Sequence, residues 1–366
     1  MRTKKRCVNK YYAGEGKIPK PHEGETMITA HESSLIGIDG RPRFGIYSGP
    51  LTSLNLEDFR PYGQKSGTSF ARSRILKYRI KRWEYLGVCN NDIICGIAVV
   101  RLGYMCTLFA YLFERRSARI SEYEILTPGG GAAIFEGTSL TGGITFESGK
   151  TAVRMTSDPE TITVEGTVKG ELSISLSFRK YREPLVCLTR TGLKGFNYTH
   201  KEAGIPVRGT IRHKDVSWDI QEMQSFGVQD YTLGYLARQT FWNWASGGGI
   251  DREGTRIGFN LVQGVNETGF TENVFWVNGR LVKTDVVDFR YDDVDIMKPW
   301  HIKSNDGRVR LQFLPEGKRS ATINAGLLVS KFHQPFGRFE GTLQNGDQVC
   351  ELQNAAGFTE EHYARW

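Results

Sequence analysis

Asp230 sits in Ser225-Phe-Gly-Val-Gln-Asp-Tyr-Thr-Leu-Gly-Tyr235, among aromatic and glycine residues. A carboxyl facing inward from such a strand is pushed by burial toward its neutral form. That is the form a general acid needs to protonate an alkene or enol ether. The competing assignment is a strand-end aspartate that bonds nearby backbone N–H groups. Downstream, Trp242 and Trp244 flank Asn243. On a strand the two indoles share one side and Asn243 takes the other. The indoles could hold a flat or isoprenoid ligand and stabilise a developing carbocation through their π faces, or they could fill an ordinary core. Asn243, if inside a cavity, would be a positioned donor and acceptor, and Tyr231 is a further candidate ligand contact.

Glu267, Glu272 and Asn273 fall in the polar loop Gln263-Gly-Val-Asn-Glu-Thr-Gly-Phe-Thr-Glu-Asn273. Glu272 with Asp230 would make a carboxylate pair, the minimum for acid/base or glycosidic chemistry, and a plain turn acid is the alternative. His333, in Lys331-Phe-His-Gln-Pro-Phe-Gly-Arg338, is a candidate base or hydrogen-bond donor, against a strand-end histidine satisfied by backbone. His200 and Lys201 suit either the polar head of a ligand or an interdomain turn. Glu360, Glu361, His362 and Arg365 read as charge pairs that tie down the last strand. The candidate catalytic residues are therefore Asp230, Glu272 and His333. The candidate ligand contacts are Tyr231, Trp242, Asn243, Trp244 and Asn273.

Other chemistries lack their residues. The seven histidines show no metal-ligand spacing, so neither a metal nor a cofactor is expected. Gly129-Gly130-Gly131 and Gly247-Gly248-Gly249 lead into no convincing helix and no Lys-Ser/Thr, so they read as turns rather than phosphate loops. No Gly-x-Ser-x-Gly elbow is present. Six cysteines, at 7, 89, 95, 106, 187 and 350, form no C-x-x-C pair and read as reduced core residues.

The elements that must position these side chains are strands. The 366 residues include 42 glycines and 12 prolines, which leave few stretches long enough for a sizeable helix. The longest, Ile211 to Phe226, alternates Val216, Trp218 and Ile220 as a strand would. Residues 1–70 read as irregular. Alternation begins near Leu76, Asn90-Asn91-Asp92 turns the chain, and a long strand is expected from Ile93 towards Phe113. Hairpins follow at Gly143–Phe146 with Thr151–Met155 and at Thr161–Val168 with Glu171–Phe178. A weak duplication relates Trp83-Glu84-Tyr85 and Gly96–Gly103 to Trp242-Asn243-Trp244 and Gly258–Gly264, which predicts two similar β-domains. Residues 1–82 carry 17 Lys/Arg against 7 Asp/Glu, a net +10, and the remainder carries −2. A basic segment of this kind suits weak contact with an anionic membrane surface, or a solvated tail. No nucleic-acid-binding signature accompanies it. No apolar run reaches the roughly 20 residues of a membrane span, and no secretory h-region follows the basic start, so a cytoplasmic protein is expected.

An ordered set of motifs carries a resemblance. It comprises Lys81-Arg-Trp-Glu-Tyr85, Pro128-Gly-Gly-Gly131, Tyr198-Thr-His-Lys-Glu-Ala-Gly-Ile-Pro206-Val-Arg-Gly209 and Asp230-Tyr-Thr-Leu-Gly-Tyr235. Trp242-Asn-Trp-Ala245, Gly258-Phe-Asn-Leu261, Thr271-Glu-Asn273, Val277-Asn-Gly-Arg-Leu281 and Pro299-Trp300 follow. His333-Gln-Pro-Phe-Gly-Arg338 and Glu360-Glu-His-Tyr-Ala-Arg-Trp366 complete it. Over roughly residues 70–366 the chain resembles the family called domain of unknown function 2804. It departs from the family pattern at Leu233, where many members have arginine, so no role for that guanidinium carries over. The family is similar, more distantly, to two-barrel calycin proteins such as carotenoid 1,2-hydratases. The resemblance implies apolar ligands held in a barrel mouth or between barrels, and it assigns no reaction.

The expected fold is all-β, with two tandem lipocalin-like antiparallel barrels at 71–195 and 196–366 after an irregular basic segment at 1–70. The expected function is a cofactor-free hydratase, isomerase or cyclase acting on a lipid or isoprenoid-like small molecule. A non-catalytic carrier of small hydrophobes is the alternative, and a carbohydrate-active enzyme using Asp230 and Glu272 is the third reading.

Overall fold

The structure, a computed structural model, describes residues 34–61, 78–325 and 328–365. The basic residues before 34 and those at 62–77 lie outside the described residues, and so does the expected membrane contact through them. The first strands are β1 (Gly45–Tyr47), β2 (Lys81–Cys89), β3 (Ile93–Arg101), β4 (Met105–Glu114), β5 (Arg119–Pro128), β6 (Ala133–Gly137), β7 (Gly142–Ser148) and β8 (Thr151–Ser157). Next come β9 (Thr161–Val168), β10 (Leu172–Arg179), β11 (Leu185–Arg190), β12 (Phe196–His213), β13 (Val216–Ile220) and β14 (Phe226–Gly234). The remainder are β15 (Gln239–Ile250), β16 (Arg256–Gln263), β17 (Val274–Val277), β18 (Arg280–Lys283), β19 (Val287–Arg290), β20 (Trp300–Ser304), β21 (Val309–Ala325), β22 (Leu328–Asn345) and β23 (Gln348–Arg365). No helix among the described residues is long and apolar enough to cross a membrane.

These strands form two antiparallel sheets. The first runs β5-β4-β3-β2-β14-β12-β10-β9-β8-β7-β6, with β11, β1 and β13 attached at its side. The second runs β18-β17-β16-β15-β23-β22-β21-β20-β19. In both, the two end strands are consecutive in the chain, and each sheet curls as a half-barrel around its own core. The second is tied across its curl where Phe289 N–H donates to Gln263 Oε1 at 3.0 Å. The chain passes from one sheet to the other at residues 235–238, so β12, β13 and β14 are hydrogen-bonded to the first sheet. The expected long strand from Ile93 is instead a hairpin: Leu102-Gly103-Tyr104 turns the chain, and Leu102 N–H bonds Met105 O at 2.9 Å.

The duplicated hairpins occupy matching places. β2 lies between β3 and β14, the last strand of its sheet; β15 lies between β16 and β23, the last strand of its own. Alternation explains why the β2–β4 region reads as nearly continuous apolar sequence. Leu86, Val88, Ile97, Val99, Leu108 and Leu112 fill the first half-barrel. Tyr85, Ala98, Tyr111 and Phe113 point the other way and pack on Trp244, Phe336 and Phe358 of the second sheet. Both faces are buried. Described residues of the N-terminal segment, Leu35, Tyr47, Leu51 and Phe59, cover part of the first sheet at Val186, Phe196, Tyr198 and Tyr231.

The sheets touch at two glycines. Gly204, at φ +71°, sits where the β12–β14 register shifts by a bulge, and a Cβ there would lie 2.5 Å from Gly258 Cα. A Cβ on Gly258 would lie 1.9 Å from the Ala203 carbonyl oxygen. Gly258→Ala should therefore destabilise the protein by about 1–3 kcal/mol in urea unfolding. Gly131→Ala, whose Cβ would meet nothing within 4 Å, should stay within about 0.5 kcal/mol of wild type.

Candidate functional site

Strand register fixes which side chains front the gap between the sheets. On the first sheet, paired positions place Lys201 of β12, Asp230 of β14, Tyr85 of β2, Ala98 of β3, Phe109 of β4 and Glu124 of β5 in one lateral row. Two residues along each strand, Thr232, Trp83, Val100, Thr107 and Leu126 form the next row. On the second sheet one row is Trp244 and Glu360, with Gln334 and Arg319 beside them. The next is Trp242, His362 and Phe332, and the third contains Thr240 and Ser330. These rows enclose a cavity of about 200 Å³.

Three charged side chains meet on one wall. Lys201 Nζ is 3.5 Å from Asp230 Oδ2 and 2.7 Å from Glu272 Oε2, and all three are buried. Glu272 also accepts from Asn266 Nδ2, and Lys201 Nζ lies 5.1 Å from the Trp244 ring centroid. Burial alone would lower the Lys201 pKa, but Asp230 and Glu272 hold it above the ordinary lysine value. The ammonium therefore stays charged. Asp230 goes the other way. Burial raises its pKa, with Glu272 adding to the rise, against Lys201 and the donors Trp83 and Thr232. Those donors are Trp83 Nε1 at 3.3 Å and Thr232 Oγ1 at 3.2 Å. With one ammonium and two carboxyls, a proton on Asp230 makes the trio neutral.

The second sheet repeats the motif. Trp242 Nε1 donates to Glu360 Oε1 at 3.0 Å, as Trp83 does to Asp230. Gln334 Nε2 donates to Glu360 Oε2 at 3.1 Å, and His362 Nδ1 is 3.3 Å from Glu360 Oε1. The His362 ring packs on Trp242 with centroids 4.2 Å apart, and its Nε2 is 2.9 Å from Ser330 Oγ. Burial would raise the Glu360 pKa, but His362, Arg319 and Trp242 together hold it below the usual carboxylate range. The duplicated tryptophans thus present two carboxyls of opposite tendency to one cavity.

Four expected residues lie elsewhere, three of them because strand alternation turns them away. Tyr231, next to Asp230, points to the opposite face, against Tyr198 with ring centroids 6.1 Å apart. Asn243 leaves the cavity wall and its Nδ2 bonds Tyr291 Oη at 3.0 Å. His333 is half-buried, off the cavity, with Nδ1 2.7 Å from Ser320 Oγ. Asn273 Oδ1 accepts from Val262 N–H at 2.6 Å and braces the loop that carries Glu272. Glu267 accepts from Gly264 N–H at 3.0 Å as a turn acid. Asp230, Glu272, Trp242 and Trp244 do line the cavity. The cavity-lining Trp83, Thr232, Arg319, Ser330 and Gln334 were not singled out from sequence for this role. Trp83 had a signal, since it heads the duplicated hairpin. Glu360 and His362 do pair with each other, in the cavity wall. Among the described residues, no three His, Cys, Asp or Glu side chains converge as a metal site requires.

The motif string and this architecture agree with a family model, which matches residues 25–366. The chain belongs to the family Domain of unknown function (DUF2804). No curated protein matches it in sequence. Among solved structures it is similar to CghA, at 10% identity and a TM-score of 0.48, over 77% of this chain and 87% of that one. It is also similar to kievitone hydratase from Nectria haematococca, at 9% identity and 0.48, over 78% and 88%.

On the reverse face of β2, β12 and β14 a second buried polar set stays outside the cavity. Gln229 Nε2 donates to Glu84 Oε1 at 3.0 Å, and His200 Nε2 lies 3.3 Å from Glu202 Oε1. Burial pushes the Glu84 carboxyl up to about 8, against the Gln229 hydrogen bond that lowers it. The folded state then keeps a proton that the unfolded chain has lost, so stability falls as pH rises from about 4.5 to about 8. Measured against Glu84→Gln by urea unfolding, wild type should lose about 1.4 kcal/mol per pH unit across that window. In the cavity, Lys201→Met strands two buried carboxyls and should cost about 3–5 kcal/mol at neutral pH in the same assay.

Proposed function

We propose that the intersheet cavity of this DUF2804 member binds an apolar small molecule and moves protons on it, in a hydration, isomerisation or cyclisation that needs no cofactor. The observation that carries this reading is the pair of carboxyls whose surroundings push them apart, Asp230 toward the acid and Glu360 toward the carboxylate, on facing walls of one aromatic cavity. Paired titratable groups tuned in opposite directions are how one site supplies an acid and a base at neutral pH. Asp230 would donate to a double bond or enol ether. Lys201 would hold the proton-accepting charge balance after transfer, since its ammonium faces the new carboxylate. Trp83, Trp242 and Trp244 offer π faces to positive charge on the substrate, and Glu360 with His362 would take the proton that leaves.

The carrier reading rests on the same apolar wall and leaves Asp230 as a structural acid. The carbohydrate reading would use Asp230 and Glu272, which share the Lys201 ammonium at 3.5 and 2.7 Å. The apolar lining of the cavity and the opposed tuning of Asp230 and Glu360 favour proton transfer on an apolar ligand over it.

The test begins with a native mass spectrum of the gently purified protein and extraction of any passenger. The passenger and its near relatives are then incubated with the protein in D2O. Proton transfer by Asp230 puts solvent deuterium into the recovered molecule. Asp230→Asn should cut incorporation at least a hundredfold while affinity stays within a few-fold. A wild-type protein that binds the passenger and returns it without deuterium is a carrier.

A further inference from the structure

Two cations line the cavity besides the His362 ring, and their surroundings differ. Lys201 sits between the carboxyl groups of Asp230 and Glu272. Arg319, on β21, is equally buried at 6% exposure, yet its direct partner is a neutral amide: Nε donates to Gln334 Oε1 at 2.7 Å. No carboxylate oxygen of a described residue lies within ion-pair distance of its guanidinium, and no hydrogen bond runs from Nη1 or Nη2 to a described residue. Its guanidinium carbon is held instead among three rings, 4.5 Å from the Phe109 centroid, 4.6 Å from Tyr111 and 4.7 Å from Phe332. Phe109 and Tyr111 belong to the first sheet and Phe332 to the second, so both sheets grip the stem and aim the fork.

The acidic groups around it are otherwise engaged. Glu360 is joined to it by hydrogen bonds only through Gln334, although Arg319 also lowers the Glu360 pKa through space, and its two oxygens already accept from Trp242, Gln334 and His362. Glu122 and Glu124 on β5 are exposed and form no ion pair with Arg319, although Glu124 lines the cavity and the guanidinium acts on Glu122 against the pKa rise that burial causes. A buried guanidinium with its Nη1/Nη2 edge unused and an apolar surround has a strong preference for one kind of partner. That partner is a planar anion that accepts two parallel hydrogen bonds and brings its own apolar body.

We propose that Arg319 is the anchor for a carboxylate, so that the molecule taken by the cavity is an apolar acid rather than a neutral hydrocarbon or alcohol. This rests on the cavity being a ligand site and names the class of its ligand. The carboxylate sits against Arg319, oriented by the Gln334 brace. The apolar body lies along the tryptophans, toward Asp230. The cavity volume admits a one-ring acid, since an apolar void of about 150 Å³ already takes benzene.

The test is calorimetric titration at pH 7.5 with a matched pair, 4-phenylbutyrate and 4-phenylbutanol, which differ in the head group alone. Wild type should bind the acid about tenfold or more tightly than the alcohol. Arg319→Met, which keeps the apolar stem among the rings, should lose that preference while alcohol affinity stays within threefold. Arg319→Lys should retain part of it. Equal binding of acid and alcohol by wild type, or an acid preference that survives in Arg319→Met, overturns the assignment and leaves Arg319 as a packing cation. That outcome leaves the cavity a ligand site. If neither probe binds, this inference falls and the cavity-ligand reading falls with it. The wild-type comparison decides even if a variant fails to fold.

Discussion

The interaction on which the arrangement hangs is the Lys201 ammonium between Asp230 and Glu272. Asp230 belongs to the first sheet, and Glu272 arrives on a loop of the second. Lys201 meets the cost of its burial through both partners, because desolvation of an ion is offset only as far as its charge and its hydrogen bonds are answered. The trio therefore fixes the separation of the two half-barrels at this point. The glycines set it from the other side. Gly204 is three residues along β12 from Lys201, and its bulge lets backbone meet backbone at Gly258. Contact at the glycines leaves room for a cavity further along the same strands, and the ion trio closes that cavity's wall.

The internal duplication gives the cavity its chemistry. Each sheet contributes a leading hairpin whose tryptophan caps a carboxyl on the sheet's last strand, Trp83 on Asp230 and Trp242 on Glu360. Equivalent placement does not bring equivalent protonation. Asp230 shares its cation with a second carboxyl, so neutralising it relieves excess negative charge. Glu360 shares its surroundings with a histidine and an arginine, so ionisation is favoured there. Two similarly placed hairpins thus face carboxyls of opposite tendency, through neighbours supplied by other strands. Those neighbours, more than the carboxyls, decide which is acid and which is base.

Much of this was legible in the residues. The two-residue hairpin signals, the glycine content and the repeated Trp-containing segment predict an all-β chain of two related units, and the hairpins near 143–155 and 161–178 fall where expected. Asp230, Trp242 and Trp244 could be named because an acid among aromatics and a pair of indoles at spacing two are local patterns. Alternation also carries information against Tyr231 and Asn243, each one residue from a cavity-facing side chain. Other residues were not legible, for a physical reason. β2, β4, β12 and β14 are buried on both faces, so apolar alternation cannot say which face lines a half-barrel and which lines the gap. Arg319 has no local signal at all. It becomes notable only when β21, β22 and one strand of the other sheet, β4, place three rings around it. Glu360 and His362 read as a strand-end ion pair, and only the lateral register with Trp242 and Trp244 shows that the pair fronts a cavity.

The cavity wall resolves an apparent conflict between apolar and charged character. A buried charge is normally costly beside hydrocarbon, yet Lys201, Asp230, Glu272, Arg319, Glu360 and His362 all line this space. Asp230 and Glu360 each accept an indole N–H, so the polar edge of a tryptophan answers the carboxyl while its ring remains part of the apolar surface. Lys201 and Arg319 extend apolar stems and rest against ring faces. The charges thus sit at the margins of an aromatic lining and are not scattered across it. A ligand must then match two demands at once: ring surfaces that reward apolar area, and fixed charges whose positions cannot shift without unpairing a buried partner. Rigidity of the second kind is what pre-organises a site, since no reorganisation is needed when charge develops on a bound molecule.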